Sequence, residues 1–185
     1  MVPKIPRRRF CQFSSDQVER PQRRFGAVDW VLARPLYRIV QCSLAQVPAA
    51  ERAQAIRLQV RQQSPFADPD WVAILSGGDA LCAVWDRPVV DAAMAAAGVS
   101  RARARVIPES FLRRPQQSGA LLVQSLAGFD AQAWQGGKLI ASRWFASPPD
   151  GAAWQLFLRS AGGTTPIPAG EPPPVATILP LADDP

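Results

Sequence analysis

The segment "ERAQAIRLQVRQQSPF", from Glu51 to Phe66, constrains the fold more than any other part of the chain. Its apolar residues recur at helical spacing, which predicts an amphipathic helix with one face packed against a core. Pro65 ends this helix, because the residue before a proline is driven out of the helical region. The predicted apolar face consists of Ala49, Ala53, Ile56 and Val60.

Strand-like segments lie on both sides of this helix. Before it, "AVDWVLARPLYRIVQCSL" predicts two short strands, or a strand and an edge segment, that break at Pro35. After it, "DWVAILSGGDALCAVWD" predicts a hairpin. A second helix, "VVDAAMAAAG", follows Pro88 and ends at Gly98, and another strand comes next. This order predicts a first α/β lobe over residues 26–108.

The pattern restarts in the second half of the chain. "ALLVQSLAG" and "AQAWQGGKLIASRWF" predict a meander that turns at Gln135–Lys138, and "GAAWQLFLRSAGG" predicts a helix that stops at Gly162. The apolar face of that helix is predicted to contain Ala153, Leu156 and Phe157. Residues 109–163 therefore form a second predicted α/β lobe, and the Pro-rich residues 164–185 predict a linker or tail.

The N-terminal residues 1–25 combine prolines and arginines without periodicity, which predicts a flexible basic arm. The net charge of +6 and the pI near 10.2 indicate an acidic partner. Nucleic acid, an anionic membrane surface and an acidic protein surface all fit this charge. The basic arm includes Arg7, Arg8, Arg9, Arg23 and Arg24, and the first three of these could contact phosphates.

Residues that commonly carry catalysis are scarce. The sequence has no histidine, which excludes nucleophiles assisted by histidine, and its carboxylates show no pairing around a common substrate position. The Gly-Gly pairs lack the spacing of phosphate-binding loops and are typical of turns and helix ends. We therefore expect a protein that is not an enzyme and that binds no cofactor or metal.

The cysteines and the hydropathy indicate the compartment. Cys11, Cys42 and Cys82 are widely spaced, which argues against a metal cluster or a disulfide framework and favours the reducing cytoplasm. No apolar run reaches the 18 residues of a membrane span, and no apolar segment of a signal peptide follows the basic start.

The order of these motifs resembles a known family. "RAQAIRLQVRQQSPF", followed by the hairpin and by "AVWDRPVVDAAMAAAGVSRARARVIPESFL", is similar to the cytoplasmic actin-like domain of the type II secretion platform protein GspL and the type IV pilus assembly protein PilM. "LLVQSLAGFDAQAWQGGKLIASRWF" resembles the next lobe of that family. The resemblance implies a partial or degenerate actin-like (RNase H-like) α/β domain with two small lobes of mixed sheet and packed helices.

By this resemblance the chain is a non-catalytic scaffold at the cytoplasmic face of the bacterial inner membrane. It would recruit a secretion or pilus motor ATPase and contact other platform proteins. Nucleotide-binding members carry an Asp-x-Gly turn where this sequence has Leu126-Ala127-Gly128, so the resemblance implies that the metal-binding carboxylate is missing. The side chains expected to meet a partner are Arg57, Leu58, Arg61, Arg101 and Arg103.

Two other functions remain open. A basic nucleic-acid-binding module would use the N-terminal arginines, and its affinity would depend steeply on salt. An actin-like ATPase would instead be stabilised by nucleotide and magnesium. The choice between a secretion and a pilus system also remains open.

Overall fold

The computed structural model describes residues 7–22, 25–76, 78–113, 115–161, 173–177 and 181. Ten strands and three α-helices lie in these ranges. The strands are β1 (Arg7–Gln12), β2 (Val18–Glu19), β3 (Ala27–Leu32), β4 (Tyr37–Ser43), β5 (Pro69–Ser76), β6 (Asp79–Asp86), β7 (Ala104–Pro108), β8 (Gly119–Gln124), β9 (Phe129–Gln135) and β10 (Lys138–Phe145). The helices are α1 (Arg52–Gln63), α2 (Arg87–Ala96) and α3 (Gly151–Ser160). None of these helices is long and apolar enough to cross a membrane.

The first sheet has the order β2-β1-β3-β7, with β1, β3 and β7 parallel and β2 antiparallel to β1. The prediction of a flexible arm is therefore wrong for β1, which is an inner strand of this sheet. Phe10 of β1 is buried and stacks on Trp30 of β3, with ring centroids 5.4 Å apart. Burial of that ring outweighs the disorder suggested by the surrounding arginines and prolines, and it joins this segment to the first lobe.

The second sheet is antiparallel, with the order β4-β6-β5, and confirms the predicted hairpin. Alternate β6 side chains point to opposite faces, as the two-residue period of a strand requires. Cys82 and Val84 face α1, while Ala83 and Trp85 face the core that α2 shares with the first sheet. The second sheet is thus covered by α1 on one face and by α2 with the first sheet on the other.

Helix α1 confirms the helix predicted from the opening segment, but Ala49 and Ala53 of its predicted apolar face are exposed, and Ala49 precedes the helix. Ile56 and Val60 are buried against the second sheet, as predicted. Ala53 is exposed, and Ala55 packs against the sheet in its place. The small alanine side chains make the spacing pattern ambiguous at this point, so the two branched residues determine the orientation of the helix.

The third sheet is the predicted meander, with the order β10-β9-β8, and α3 packs on it. Phe157 faces the sheet as predicted, but Leu156 is 48% exposed. Trp154 and Leu158 are buried instead, because the larger indole ring sets which face of the helix packs inward. The predicted stop at Gly162 lies outside the described residues.

The predicted C-terminal linker is described only at residues 173–177 and 181. Thr177 forms a parallel bridge with Val123 of β8, donating its N–H to the Leu122 carbonyl at 2.8 Å. This part of the tail therefore extends the third sheet and is not a free linker. The Pro-rich composition of the segment argued against strand pairing, because prolines lack an amide hydrogen, but Thr177 has one and uses it.

Candidate partner-binding site

The outward face of α1 carries three of the predicted contact residues. Arg57, Leu58 and Arg61 are all exposed, and 54% of the Leu58 surface is accessible. Neither arginine forms a hydrogen bond or ion pair with another described residue. The burial of the opposite face against the second sheet holds these side chains outward. Two cations beside an exposed leucine suit an acidic protein surface that also offers an apolar side chain.

The other two predicted contact residues lie elsewhere. Arg101 follows α2 and forms ion pairs with Asp70 at 2.7 Å and Asp91 at 3.6 Å, while Arg103 is exposed. Because α1 and α2 pack on opposite faces of the second sheet, these arginines do not extend the α1 surface. The structure therefore does not gather the five predicted residues into one site.

The predicted basic arm contributes less free charge than its composition implies. Arg7 donates two hydrogen bonds, at 2.8 and 2.7 Å, to the carboxylate of Asp29, and Arg105 from β7 also bonds this carboxylate. Burial alone would raise the pKa of Asp29, but the bonds from both arginines outweigh it and hold the pKa below its usual range. The guanidinium of Arg8 lies 5.8 Å from the ring centre of Phe10. These residues belong to a sheet, and Arg23 and Arg24 lie outside the described residues.

The turn between β8 and β9 contains Leu126-Ala127-Gly128, the segment that the sequence resemblance singled out. Its Leu126 side chain packs beside the buried Val31, Ile107 and Leu112. Trp144 donates its indole N–H to the Ala127 carbonyl at 2.6 Å. Contacts from the first and third sheets therefore enclose the turn, and the side chain at position 126 is apolar.

Gly128 closes the same turn and leaves no room for a larger residue. Its φ of +81° lies in the left-handed region, and a Cβ atom there would come within 2.5 Å of the Phe145 carbonyl oxygen. The backbone of β10 therefore occupies the space directly against this glycine.

Glu109 lies behind the turn and is fully buried. Its Oε2 accepts a hydrogen bond from the Leu126 amide at 2.9 Å, and its Oε1 has no hydrogen-bond partner among the described residues. Burial raises the pKa of Glu109 to about 7, although the Leu126 bond and the charge of Arg113 oppose the shift. The carboxylate holds the turn in place, and no cluster of three potential metal ligands occurs in the part of the chain that the structure describes.

A buried ionic network joins the two predicted lobes. Arg34, between β3 and β4, donates to Asp130 of β9 at 2.9 Å and to the Tyr37 carbonyl at 2.9 Å. Asp130 also accepts bonds from Ser110 at 2.9 Å and Ser142 at 2.6 Å. The sequence analysis did not predict this network; the available signal was Asp130, the charged residue of the strand segment Phe129–Gln135.

Solved structures show which fold this is. The chain is similar to the cytoplasmic domain of EpsL, an inner membrane component of the type II secretion system of Vibrio cholerae, with a TM-score of 0.55. That match has 11% sequence identity and covers 96% of this chain and 86% of the EpsL domain. A Bacteroides thetaiotaomicron protein of actin-like ATPase fold and unknown function gives a TM-score of only 0.43, with 9% identity over 75% of this chain and 69% of that one.

No protein-family model and no curated protein matches the sequence. The predicted mixed α/β fold and the predicted likeness to the cytoplasmic domain of a type II secretion platform protein are confirmed at the level of fold.

Proposed function

We propose that the chain is a non-catalytic scaffold of a type II secretion inner-membrane platform. In this proposal it lies at the cytoplasmic face of the inner membrane and recruits the motor ATPase by protein contacts. The observation that carries the proposal is the fold, which over nearly the whole chain matches a domain described as an inner-membrane component of such a system. A pilus platform would use the same kind of docking domain, but the matched solved structure favours secretion.

The docking surface in this proposal is the α1 stripe, defined as Arg57, Leu58 and Arg61. Support comes from the exposure of all three residues and from the absence of any described acid that neutralises the two arginines. An acidic partner surface that also offers an apolar side chain would complement the two cations and cover Leu58. Arg103 is left as a secondary contact, and Arg101 already bridges two aspartates.

The filled turn at Leu126 supports the non-catalytic part of the proposal. In a nucleotide-dependent member of the family this turn would present a carboxylate to a metal-phosphate group. Here its amide is bonded to Glu109, and its side chain lies in an apolar cluster. The side chain at this position carries no charge, and the Leu126 amide is already engaged by Glu109.

Binding to the purified type II motor ATPase encoded in the same genome tests the proposal. We expect the double variant Arg57→Glu, Arg61→Glu to weaken the complex by about ten-fold or more, and Leu58→Ala by about five-fold, in calorimetry. The matched control is Arg159→Glu, a charge reversal on the exposed end of α3. Equal loss with the control would show that only net charge matters, and an unchanged affinity in all three variants would reject the α1 stripe.

A further inference from the structure

A cleft of about 360 Å³ opens between the hairpin end of the second sheet and the turn that joins β9 to β10. Its apolar floor includes Leu81 and Ile140. Four polar side chains border it, and they are Gln41, Asp79, Gln135 and Lys138. An apolar floor with a few polar groups at its edge is the usual composition of a binding cleft.

Strand register shows that the cleft continues over an exposed apolar residue. Leu81 of β6 lies directly opposite Gln41 of β4 on one side and opposite Ile74 of β5 on the other. Residues paired in this way project from the same face of a sheet, so Ile74 extends the row that begins in the cleft. Ile74 is 47% exposed, whereas Leu81 is only 7% exposed.

The cleft is bordered by one acidic and one basic side chain that do not pair with each other. Asp79 and Lys138 both border the cleft, yet no ion pair joins them. Neither of these residues forms a side-chain hydrogen bond with another described residue, and the same holds for Gln41 and Gln135. A ligand that brings a cation to Asp79 and an anion to Lys138 would complement both charges at once.

The two glutamines indicate a polypeptide ligand. A primary amide offers one acceptor and two donor hydrogens, which match the donor and acceptor of a peptide group. The row from Leu81 to Ile74 then provides a surface for an apolar side chain. A free metabolite that fills the cleft would leave Ile74 uncovered.

We propose that this cleft binds a short extended segment of a partner protein, in which an apolar side chain stands between a basic and an acidic one. The cleft and Ile74 lie on the face of the second sheet opposite α1, so this contact is separate from the α1 stripe. The proposal therefore stands or falls independently of the proposed function.

Chemical-shift titration of the whole isotope-labelled chain tests it with end-blocked tripeptides. Lys-Leu-Glu is the probe, and Gln-Leu-Gln is the uncharged control. We expect saturable shifts at the side-chain amides of Gln41 and Gln135, with the charged peptide binding about two- to five-fold more tightly for each charge. Asp79→Asn and Lys138→Gln should each remove the two- to five-fold gain in affinity that one peptide charge provides. The distant Arg159→Gln should leave the affinity unchanged.

Three results would overturn the proposal. The first is the absence of saturable shifts at the two glutamine amides. The second is equal affinity for the charged and uncharged peptides in the wild type and in both cleft variants. The third is displacement of the peptide by free leucine at a similar concentration, which would indicate a site for a small zwitterion. Unchanged thermal unfolding of the variants controls for folding, since these side chains lie at the surface.

Discussion

At the scale of single residues, the most constrained charges are Arg34 and Asp130. Arg34 is 2% exposed and Asp130 is fully buried. Buried charges are tolerated only when they are paired and hydrogen-bonded. Besides the bond between Arg34 and Asp130, Arg34 donates to the Tyr37 carbonyl and Asp130 accepts a bond from Ser142. The pair connects the β3–β4 junction to β9, so it fixes the third sheet against the rest of the molecule.

Removing one member of this pair should destabilise the protein strongly. Arg34→Met leaves Asp130 buried without its counterion, and we expect the free energy of unfolding in urea to fall by about 3–5 kcal/mol. Arg101→Met removes the ion pairs to Asp70 and Asp91, in which Arg101 is 40% exposed and the aspartates are 27% and 41% exposed, and its cost should stay below about 1 kcal/mol. Similar losses in the two variants would contradict the burial of the Arg34–Asp130 pair.

Glu109 should make stability depend on pH. Its pKa is raised from 4.5 to about 7 in the folded protein, so the folded state binds the proton more tightly than the unfolded state. The stability linked to this proton is fully present below pH 4.5 and is lost as the pH rises through 7, by about 3 kcal/mol in total.

Glu109→Gln tests this dependence, because the amide oxygen still accepts the Leu126 bond but does not titrate. Relative to the wild type, the variant should gain stability as urea unfolding is measured from pH 5 to pH 8. A constant difference between the two proteins across that range would contradict the raised pKa.

At the scale of elements, β1 is the main difference between the structure predicted from the sequence and the structure observed. Helices α1 and α2 and the two hairpins were predictable, because periodicity, prolines and glycines determine them within a few neighbouring residues. Strand β1 was not, since its three consecutive arginines mask the apolar residue that anchors it. Asp29, which accepts hydrogen bonds from Arg7, is 22 residues away, so no local sequence pattern predicts that it neutralises this arginine.

Phe10→Ala distinguishes a strand from an arm. Phe10 is 5% exposed and stacked on Trp30, so its truncation should lower the free energy of unfolding by about 3–5 kcal/mol. Phe25→Ala is the matched control, because Phe25 is 86% exposed and should tolerate the change within about 0.5 kcal/mol. A flexible arm would make Phe10→Ala as harmless as the control.

At the scale of the whole molecule, long-range polar contacts account for what the sequence could not show. The partners Arg34 and Asp130 are 96 residues apart, and Glu109 bonds an amide 17 residues away. The α1 stripe was predictable because exposure on a helix follows from spacing, whereas the separation of Arg101 from it required knowledge of which sheet face each helix covers. The cleft beside Ile74 likewise depends on two hairpins distant in sequence.

Nucleotide should leave the whole molecule unaffected. Because Leu126 packs in an apolar cluster and its amide is bonded to Glu109, millimolar ATP and magnesium should not raise the melting temperature in a thermal shift measurement. A reproducible increase that disappears without magnesium would contradict the non-catalytic scaffold and favour the ATPase alternative. If the chain does not bind the motor ATPase but binds DNA or RNA with an affinity that falls steeply with salt, the basic nucleic-acid-binding module would be favoured instead.

The measurement that tests the central claim most directly is hydrogen exchange of the whole chain, free and in complex with the type II motor ATPase of the same bacterium. The account predicts slower exchange in α1, Arg52–Gln63, on complex formation, because a docked partner excludes water from the stripe and suppresses opening of the helix. It predicts little change in the first sheet. Failure to form a complex, or protection confined to β1 and its neighbours, would contradict the claim that this domain is a scaffold that docks the motor through α1.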